Sequence, residues 1–335
     1  MFFHNNNNNR VINLHSLRVG FWNAAGIRRQ LEEVKEFVSD HDLDLFLIQE
    51  TFLQPGFRAE IPNFTLYRND RVNITTLRAG GGTCIYVKNA LVHHQIPTPT
   101  LTSTEATILN LKITEKNSIV FISIYCIVGR GTPFEDLKKL QKIHSNVIFA
   151  GDFNATHTSW NNSKNNQRGV QLNKFLNENN HRIIAPTSAT RIDPRYNAQN
   201  IIDFATFKNI PYPATAAVFQ ELSSDHLPCL LEINLNVKPQ TIPNLFITNW
   251  DDYNFNLQRT NLKLTTINNE EDADNAIENF TKDLYAALNN SSKPKYLNIK
   301  GRLPKEINLM IKNKNYLRRL YQRSRDPTIK EAYKN

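Results

Sequence analysis

Residues 16–236 alternate short apolar runs with stretches of helical periodicity. Residues 17–22 and 43–48 are apolar runs of the length expected for buried strands. Between them, apolar side chains recur from Ile27 at the three- and four-residue spacing of an amphipathic helix. Later runs predict further strands at residues 83–87, 106–113, 119–126, 147–150, 201–206 and 230–235. Strands that alternate with helices and with Gly or Pro punctuation are typical of a layered α/β domain.

The 335 residues favour one large domain with flanking segments. Residues 1–15 contain an asparagine tract, which we expect to be disordered because it lacks apolar side chains that could offset the entropy of ordering. Residues 16–236 contain the apolar runs and are predicted to form the domain. Residues 237–335 are predicted to be a linker followed by a basic helical segment.

The segment after the domain differs from it in composition and in its hydrophobic pattern. Pro239 and Pro243 punctuate the linker, and residues 272–288 and 304–321 have the pattern of amphipathic helices. The second helix and its continuation are strongly basic, with Lys312, Lys314, Arg318, Arg319, Arg323 and Arg325. Such a run either contacts nucleic acid or is a solvated helix face, and we favour the solvated face.

Composition narrows the class of partner and the compartment. The excess of 40 Lys and Arg over 31 Asp and Glu gives a formal charge of +9, which favours a polyanionic partner without identifying it. The three cysteines lack the spacing of a zinc site or of a disulfide framework, which indicates a reducing compartment. No apolar run is long enough to cross a bilayer and no secretion signal is present, so we expect a cytosolic or nuclear protein without a membrane partner.

Polar residues at the ends of the first two strands are candidates for holding a cation. Glu50 follows the apolar run 43–48, and Asn23 follows the run 17–22. Phosphodiester hydrolysis requires a hard cation, for which carboxylate and amide oxygens are suitable ligands. The alternative is a pair of strand-end residues that face solvent.

A second candidate group follows the run 147–150. Gly151 allows a sharp turn that presents Asp152 and Asn154 together. Asp152 could orient or deprotonate an attacking water, and Asn154 could hold a phosphate. The alternative is an ordinary turn that uses Asp and Asn for local hydrogen bonds.

The third candidate group centres on a histidine. Asp225 and His226 are neighbours on an extended segment, so their side chains should point to opposite faces and serve separate roles. Asp203, an acid within an otherwise apolar run, needs a partner, and His226 is the candidate. Such a pair could stabilise charge on a phosphate. The alternative is a structural histidine with satisfied hydrogen bonds.

In this order, the fragments resemble the endonuclease/exonuclease/phosphatase superfamily across residues 17–235. The resemblance implies a DNase I-like α/β fold, a four-layered α-β-β-α sandwich with a mainly helical C-terminal extension. It also implies a Mg²⁺ site at one end of the sandwich, with Mn²⁺ as an alternative. The implied metal residues are Glu50, Asn23 and Asp225, the catalytic residues are Asp152, His226, Asp203, Asn154 and Tyr125, and the DNA contacts are Thr190 and Ser224.

The sequence is more closely similar to the endonuclease domains of jockey-type non-LTR retrotransposons. Residues 48–53, residues 151–155 followed by His157 and Trp160, Arg168-Gly169 and residues 224–228 have the pattern of that lineage. His157 and Trp160 could equally be packing residues, which we favour for Trp160. Residues 248–250 and 303–307 resemble the connector before a reverse transcriptase. Because polymerase motifs are absent, we expect the front part of a longer polyprotein or a degenerate genomic copy.

Two positions depart from the superfamily pattern. Ala25 stands where repair endonucleases have an acid, which argues against a repair enzyme and fits the transposon branch. Ile127 stands where the family has a proline after Tyr125, and residues 128–131 also differ. The second departure bears on the geometry of this loop and on activity.

The resemblance implies a metal-dependent endonuclease that nicks double-stranded DNA to prime reverse transcription. We expect synthesis in the cytoplasm and action in the nucleus, with element RNA as a second candidate partner through the basic C-terminal segment. One alternative is a catalytically impaired relic that only binds nucleic acid. The other is a phosphodiesterase of the same fold that acts on abasic DNA or on a phospholipid.

Overall fold

The structure is a computed structural model that describes residues 15–72, 79–193, 195–241, 245–259, 269–295 and 303–334. The asparagine tract and Pro243 lie outside the described residues. The chain divides into two compact units: residues 1–240 together with residues 300–335, and residues 241–299. Among the helices of the described ranges, none is long and apolar enough to cross a membrane.

The described elements are sixteen strands and seven α-helices. The strands are β1 (His15–Asn23), β2 (Leu45–Gln49), β3 (Phe64–Asn69), β4 (Thr83–Lys88), β5 (His93–Ile96), β6 (Thr104–Lys112), β7 (Ser118–Cys126), β8 (Val147–Asp152), β9 (His181–Ile184), β10 (Arg191–Ile192), β11 (Gln199–Asn200), β12 (Asp203–Lys208), β13 (Ala214–Val218), β14 (Cys229–Leu235), β15 (Leu245–Thr248) and β16 (Ser292–Lys295). The helices are α1 (Leu31–Asp40), α2 (Phe134–Leu140), α3 (Gln167–Glu178), α4 (Trp250–Arg259), α5 (Glu270–Ser291), α6 (Lys305–Ser324) and α7 (Pro327–Lys334).

Two mixed sheets form the centre of the first unit. The first sheet has the order β13-β14-β1-β2-β4-β3, and the second has the order β5-β6-β7-β8-β12-β9. Each sheet contains one parallel pair, β1 with β2 in the first and β7 with β8 in the second. The carboxyl ends of β1 and β2 therefore lie side by side, as do those of β7 and β8. The polar residues that follow these strands are brought together in pairs.

The apolar runs are continuous because both faces of the central strands are buried. In β2, Leu45 and Leu47 belong to the core that also contains Phe121 and Ile148 of the second sheet. Phe46 of the same strand belongs to a different core with residues of α1. A third core joins the outer face of the second sheet to α2 and α3. The layers are thus helix, sheet, sheet and helix, and the predicted four-layered α-β-β-α sandwich with a mainly helical C-terminal portion is confirmed.

The strands that the sequence pattern did not predict lie mainly at sheet edges. β13 and β3 border the first sheet, and β5 and β9 border the second. These strands are largely half-buried, so their apolar pattern is weak. The predicted strand 201–206 begins two residues later than expected, because the backbone N–H groups of Ile201 and Ile202 donate to the side chains of Asn162 and Thr190 instead of a strand.

Helix α1 begins at Leu31, four residues later than the sequence pattern suggests. The N–H of Ile27 donates to the carbonyl of Thr51 at 3.0 Å, so this residue belongs to the turn that leads from β1. Residues 300–335, predicted to belong with the linker, instead group with residues 1–240. The solvated-face interpretation of the basic helix holds for Lys312, which is exposed, but is wrong for Arg318, which is buried.

The second unit is a small helical module. β15 pairs with β16 in antiparallel orientation, and the hydroxyls of Thr248 and Ser292 are 2.9 Å apart across this pair. Asn269 caps the amino end of α5 by accepting the N–H of Asp272 at 2.7 Å. The described residues of this unit include several exposed large apolar side chains, among them Trp250 and Phe280.

Candidate active site

The candidate residues converge because the ends of the central strands meet at one end of the sandwich. Tyr125 on β7 lies opposite Asp152 on β8, and Asp152 lies opposite Asp203 on β12. The two sheets are tied together beside them, where the Gln49 side chain donates to the Ser123 hydroxyl at 2.9 Å. A polar bridge between two buried sheets fixes their relative position at this end.

Asn23 joins two carboxylates. Its Nδ2 donates to Oε1 of Glu50 at 3.0 Å and to Oδ2 of Asp152 at 2.9 Å. Its Oδ1 accepts the backbone N–H of Ala25 at 3.1 Å, which defines the orientation of the amide. The sequence predicted Asn23 as a metal residue, and that role stays a prediction. The contacts show Asn23 holding the two carboxylates.

Asp152 is buried within a set of amide donors. Its Oδ1 accepts the backbone N–H of Asn154 at 2.8 Å, and its Oδ2 accepts Nδ2 of Asn154 at 3.2 Å. Asn154 can make both contacts because its backbone is left-handed, with φ of 49°. Burial, and then the charge of Asp203, raise the pKa of Asp152 above its usual range. A carboxylate with a raised pKa is a better proton acceptor than an exposed one.

Asp203 and His226 form the predicted pair. Nδ1 of His226 lies 2.9 Å from Oδ2 and 3.1 Å from Oδ1 of Asp203, and both side chains are almost fully buried. Nε2 of the same ring faces Asp152, with 3.9 Å to its Oδ2. Burial alone would lower the pKa of His226, but the charges of Asp203 and Asp152 outweigh it and raise the pKa to about 9. The imidazole is therefore cationic at neutral pH.

Thr190 belongs to the pair and not to the surface. Its hydroxyl donates to Oδ2 of Asp203 at 2.6 Å and accepts the N–H of Asp203 at 3.1 Å. The side chain has no exposed surface. A contact of Thr190 with DNA stays a prediction, and in this structure its buried hydroxyl is bonded to Asp203. Thr190 orients the acid that orients His226.

Asp225 and His226 point away from each other and serve different partners, as predicted. Oδ2 of Asp225 accepts Nε of Arg191 at 3.0 Å, whereas His226 turns to Asp203. Ser224 donates its hydroxyl to the carbonyl of Asn23 at 2.9 Å and accepts the N–H of His226 at 3.0 Å. Ligation of a metal by Asp225 and a DNA contact by Ser224 stay predictions.

Tyr125 lies at the edge of the acidic cluster, where its hydroxyl is bonded to Glu50. Burial, together with this contact, raises the pKa of Tyr125, so the phenol remains protonated and can donate a hydrogen bond. The divergent loop that follows is held by Arg168, which donates to the carbonyls of Cys126 at 3.3 Å and Ile127 at 3.2 Å. Arg168, a residue of α3, thus holds this loop through hydrogen bonds to its backbone.

Trp160 and His157 make packing and capping contacts. Trp160 has no exposed surface, stacks on Phe204 at 4.9 Å between ring centroids and donates its indole N–H to the carbonyl of Ala155. The packing interpretation of Trp160 is confirmed. His157 caps the short 3₁₀ helix Thr158–Trp160 by accepting the N–H of Ser159 at 3.1 Å.

The donor set of the cluster fits a hard divalent cation. Asp152, Asp203 and His226 present potential ligand atoms that all lie within 4.8 Å of one another. A cation between Asp203 and His226 would break their hydrogen bond, so an ion would fit these donors on the Glu50 side of Asp152. Burial, and then the charge of Asp203, raise the pKa of Asp152, which means that added positive charge is favoured beside this carboxylate. A divalent ion would balance the same charge.

Comparisons with known proteins agree with this fold and site. The family described as endonuclease-reverse transcriptase matches residues 119–230. The probable RNA-directed DNA polymerase from transposon X-element of Drosophila melanogaster is 31% identical over 95% of this chain and 36% of the relative. The RNA-directed DNA polymerase from mobile element jockey of the same species is 26% identical over 95% of the chain and 35% of the relative. The chain thus spans about a third of the length of these relatives.

Two solved structures share the fold. The endonuclease domain of TRAS1, a telomere-specific non-LTR retrotransposon, superposes with a TM-score of 0.54 at 22% identity, covering 66% of this chain and all of that one. The AP endonuclease LMAP from Leishmania major gives a TM-score of 0.53 at 13% identity, covering 66% of this chain and 88% of that one. The first unit therefore has the DNase I-like four-layered fold of these two structures. The sequence relatives narrow the similarity further: over about a third of their length, RNA-directed DNA polymerases of mobile elements such as jockey are similar to this chain.

Several residues of the site were not found from the sequence. For Arg191, the only sequence signal was its position directly after Thr190. For Arg168, the only signal was that Arg168-Gly169 matches the retrotransposon pattern. The indole of Trp22, which donates to the carbonyl of His226 at 3.1 Å, gave none because it also fits an apolar strand. Each of these contacts joins segments that are far apart in the chain.

The Asp203–His226 pair leads to a testable pH dependence. In the presence of EDTA, an NMR titration of His226 should give a pKa of about 9, and Asp203→Asn should lower it by about 1–3 units. The pKa in the folded protein lies above the value of about 6.5 in an unfolded chain. The pair therefore stabilises the fold fully below about pH 6.5, and this stabilisation is lost as pH rises through about 9. Equal titration curves for the two proteins would contradict the pairing.

Proposed function

We propose that this protein is a Mg²⁺-dependent endonuclease that nicks one strand of duplex DNA and frees a 3′-hydroxyl from which an element is reverse-transcribed. The observation that carries the proposal is the hydrogen-bonded cluster in which Asn23 joins Glu50 to Asp152, and the Asp203–His226 pair faces Asp152. This cluster provides a cation site, a proton acceptor and a positive charge within one hydrogen-bonded network.

Each side chain has a chemical role that follows from its contacts. Asp152, whose pKa is raised by burial, accepts the proton of the attacking water. His226, cationic through Asp203, stabilises the negative charge that develops on the phosphoryl oxygens. Asn154 and the Tyr125 hydroxyl lie beside the same carboxylates as further donors to the phosphate. Asn23 keeps Glu50 and Asp152 at a fixed separation.

The cation would be held by Glu50, with Asp152 next to it and Asp225 as a further ligand from the histidine side. When bound, Mg²⁺ supplies polarisation of the phosphoryl oxygen and neutralises charge on the leaving group. Mn²⁺ accepts the same oxygen ligands and is the expected substitute.

The proposed substrate is chromosomal DNA, and the proposed site of action is the nucleus. The relatives are named as polymerases of mobile elements, and the formal charge of +9 favours a polyanionic substrate. Element RNA is a second proposed partner through the basic C-terminal segment.

The test is conversion of supercoiled plasmid to nicked circles. We expect nicking with MgCl₂, no nicking with EDTA and recovery with MnCl₂. Extension of the nicked product by a DNA polymerase without prior treatment would show that the nick carries a 3′-hydroxyl. Plasmid that stays supercoiled with either metal would contradict the proposal, and salt-sensitive DNA binding without nicking would identify an inactive relic. Preferential cleavage of an abasic duplex would assign the substrate of a repair enzyme instead.

A further inference from the structure

Helix α6 contacts the segment that carries the catalytic histidine. Arg318 of α6 is only 7% exposed, and its guanidinium donates to the carbonyl of Ser224 at 3.1 Å and to that of Glu221 at 3.4 Å. We call residues 221–226 the histidine loop. A guanidinium buried on two backbone carbonyls of one loop acts as a fork that fixes their separation.

Two acids of α1 show that this contact is an integral part of the unit. Glu36 is 5% exposed and accepts the N–H of Leu303 at 2.7 Å and the side-chain amide of Asn308 at 2.7 Å. Glu33 is 8% exposed and accepts both the ammonium of Lys314 and the hydroxyl of Ser223. Buried carboxylates without partners are costly, so α1 requires these groups of the C-terminal segment.

Ser224 connects Arg318 to the active site through hydrogen bonds. Its carbonyl accepts Arg318, its hydroxyl donates to the carbonyl of Asn23, and the same hydroxyl accepts the N–H of His226. One residue therefore links α6 to the end of β1 and to the catalytic histidine. The distances of these three bonds are 3.1, 2.9 and 3.0 Å.

The histidine loop needs such restraint because its backbone is unusual. Leu222 is buried and has φ of 57°, a left-handed conformation that side chains other than glycine seldom adopt. A conformation of this kind persists only where the surroundings hold it. Leu222 is anchored in the core beside α1, and Arg318 holds the carbonyls on either side, those of Glu221 and Ser224.

We propose that α6 contributes to the activity of the endonuclease. Its Arg318 is a positioning residue that fixes the histidine loop and thereby the orientation of His226. The proposal rests on the proposed function for its kinetic consequence. Chemistry that depends on the placement of an imidazole is sensitive to small displacements, whereas binding of DNA to the surrounding surface is not. The expected signature is thus a loss in kcat without a loss in affinity.

The experiment compares Arg318→Met, Arg318→Lys and Lys312→Met in the full chain. Lys312→Met is the matched control, since it removes one positive charge from an exposed position of the same helix. We expect Arg318→Met to lower kcat for plasmid nicking by about 10-fold with KM and its salt dependence unchanged. Arg318→Lys should recover part of the rate because one carbonyl can still be bonded. Lys312→Met should keep the kcat of the wild type.

A readout that needs no activity separates the two proposals. Amide hydrogen exchange at His226, whose N–H is bonded to Ser224, should be about 10-fold faster in Arg318→Met than in the wild type. If the wild type fails to nick, this measurement still tests the positioning by Arg318. Unchanged exchange and unchanged kcat would overturn the inference. A change in KM and salt dependence alone would also overturn it, and would identify Arg318 as a DNA contact.

Discussion

Replacing Asp152 with asparagine is expected to lower the rate of plasmid nicking by about 10³-fold, because a general base of this kind contributes roughly 10²–10⁴-fold. The substitution keeps the shape of the side chain, and an amide can still accept the N–H of Asn154. It removes the negative charge that receives a proton and that faces His226. The measurement is the initial rate of nicking under saturating MgCl₂.

The same substitution should change how stability depends on pH. Burial and Asp203 raise the pKa of Asp152, so ionisation is disfavoured in the folded state but free in the unfolded chain. This cost develops in the wild type as pH rises through about 7, and it is absent from Asp152→Asn, whose amide NH₂ instead faces a donor of Asn23 or Asn154 at every pH. We therefore expect the free energy of unfolding of the wild type in EDTA to fall relative to that of the variant as pH rises through about 7, and the wild type to gain more stability when MgCl₂ is added.

Glu115→Gln is the matched control, because it also neutralises a carboxylate but at an exposed position. It should change neither the nicking rate nor the response to MgCl₂. Loss of nicking in Asp152→Asn together with loss of the cooperative unfolding transition would indicate misfolding. Nicking by Asp152→Asn at the rate of the wild type would contradict the assignment of Asp152 as the base.

Replacing Trp160 with alanine is expected to lower the free energy of unfolding by about 3–5 kcal/mol, the usual cost of removing a fully buried tryptophan. Trp160 stacks on Phe204, which in turn stacks on Phe153 at 4.3 Å. Phe153 follows Asp152 and Phe204 follows Asp203 in the chain. A cavity beneath this stack should therefore also displace the two acids and lower the nicking rate.

Chemical denaturation followed by fluorescence measures the first effect. Trp250→Ala serves as the comparison, because this tryptophan is 64% exposed and its removal should cost less than about 1 kcal/mol. If the two variants lose similar stability, Trp160 does not have the core role that its burial indicates. Trp160→Phe should restore most of the stability, since it keeps an aromatic ring in the stack.

The loop after Tyr125 has Ile127 where the superfamily pattern has a proline, and hydrogen bonds from Arg168 restrain it instead. Arg168 reaches across from α3 and donates to two carbonyls of this segment. Gly169 beside it permits the close approach, since a Cβ at that position would lie 1.9 Å from the carbonyl oxygen of Thr156. The Arg168-Gly169 pair thus sets the geometry of this loop.

Central strands were predictable from the sequence and edge strands were not. Residues 43–48 and 119–126 read as strands because both of their faces pack into cores, which makes every position apolar. The edge strand β3 is half-buried throughout and lacks such a run. Helix α6 was predicted within a few residues of its observed ends, but its association with the domain was not, because the acids of α1 that receive it lie more than 250 residues away.

The sequence by itself determined the layered α/β fold, the strand ends that carry Glu50 and Asp152, and the pairing of Asp203 with His226. These follow from local periodicity and from the rule that a buried charge needs a partner. Only the tertiary structure decided that Thr190 is buried beneath this pair, that Asn23 joins two carboxylates and that Arg318 holds the histidine loop. The physical reason is that a hydrogen bond depends on which strand ends and helix faces meet, and residues 13 to 129 positions apart leave no local pattern of that meeting.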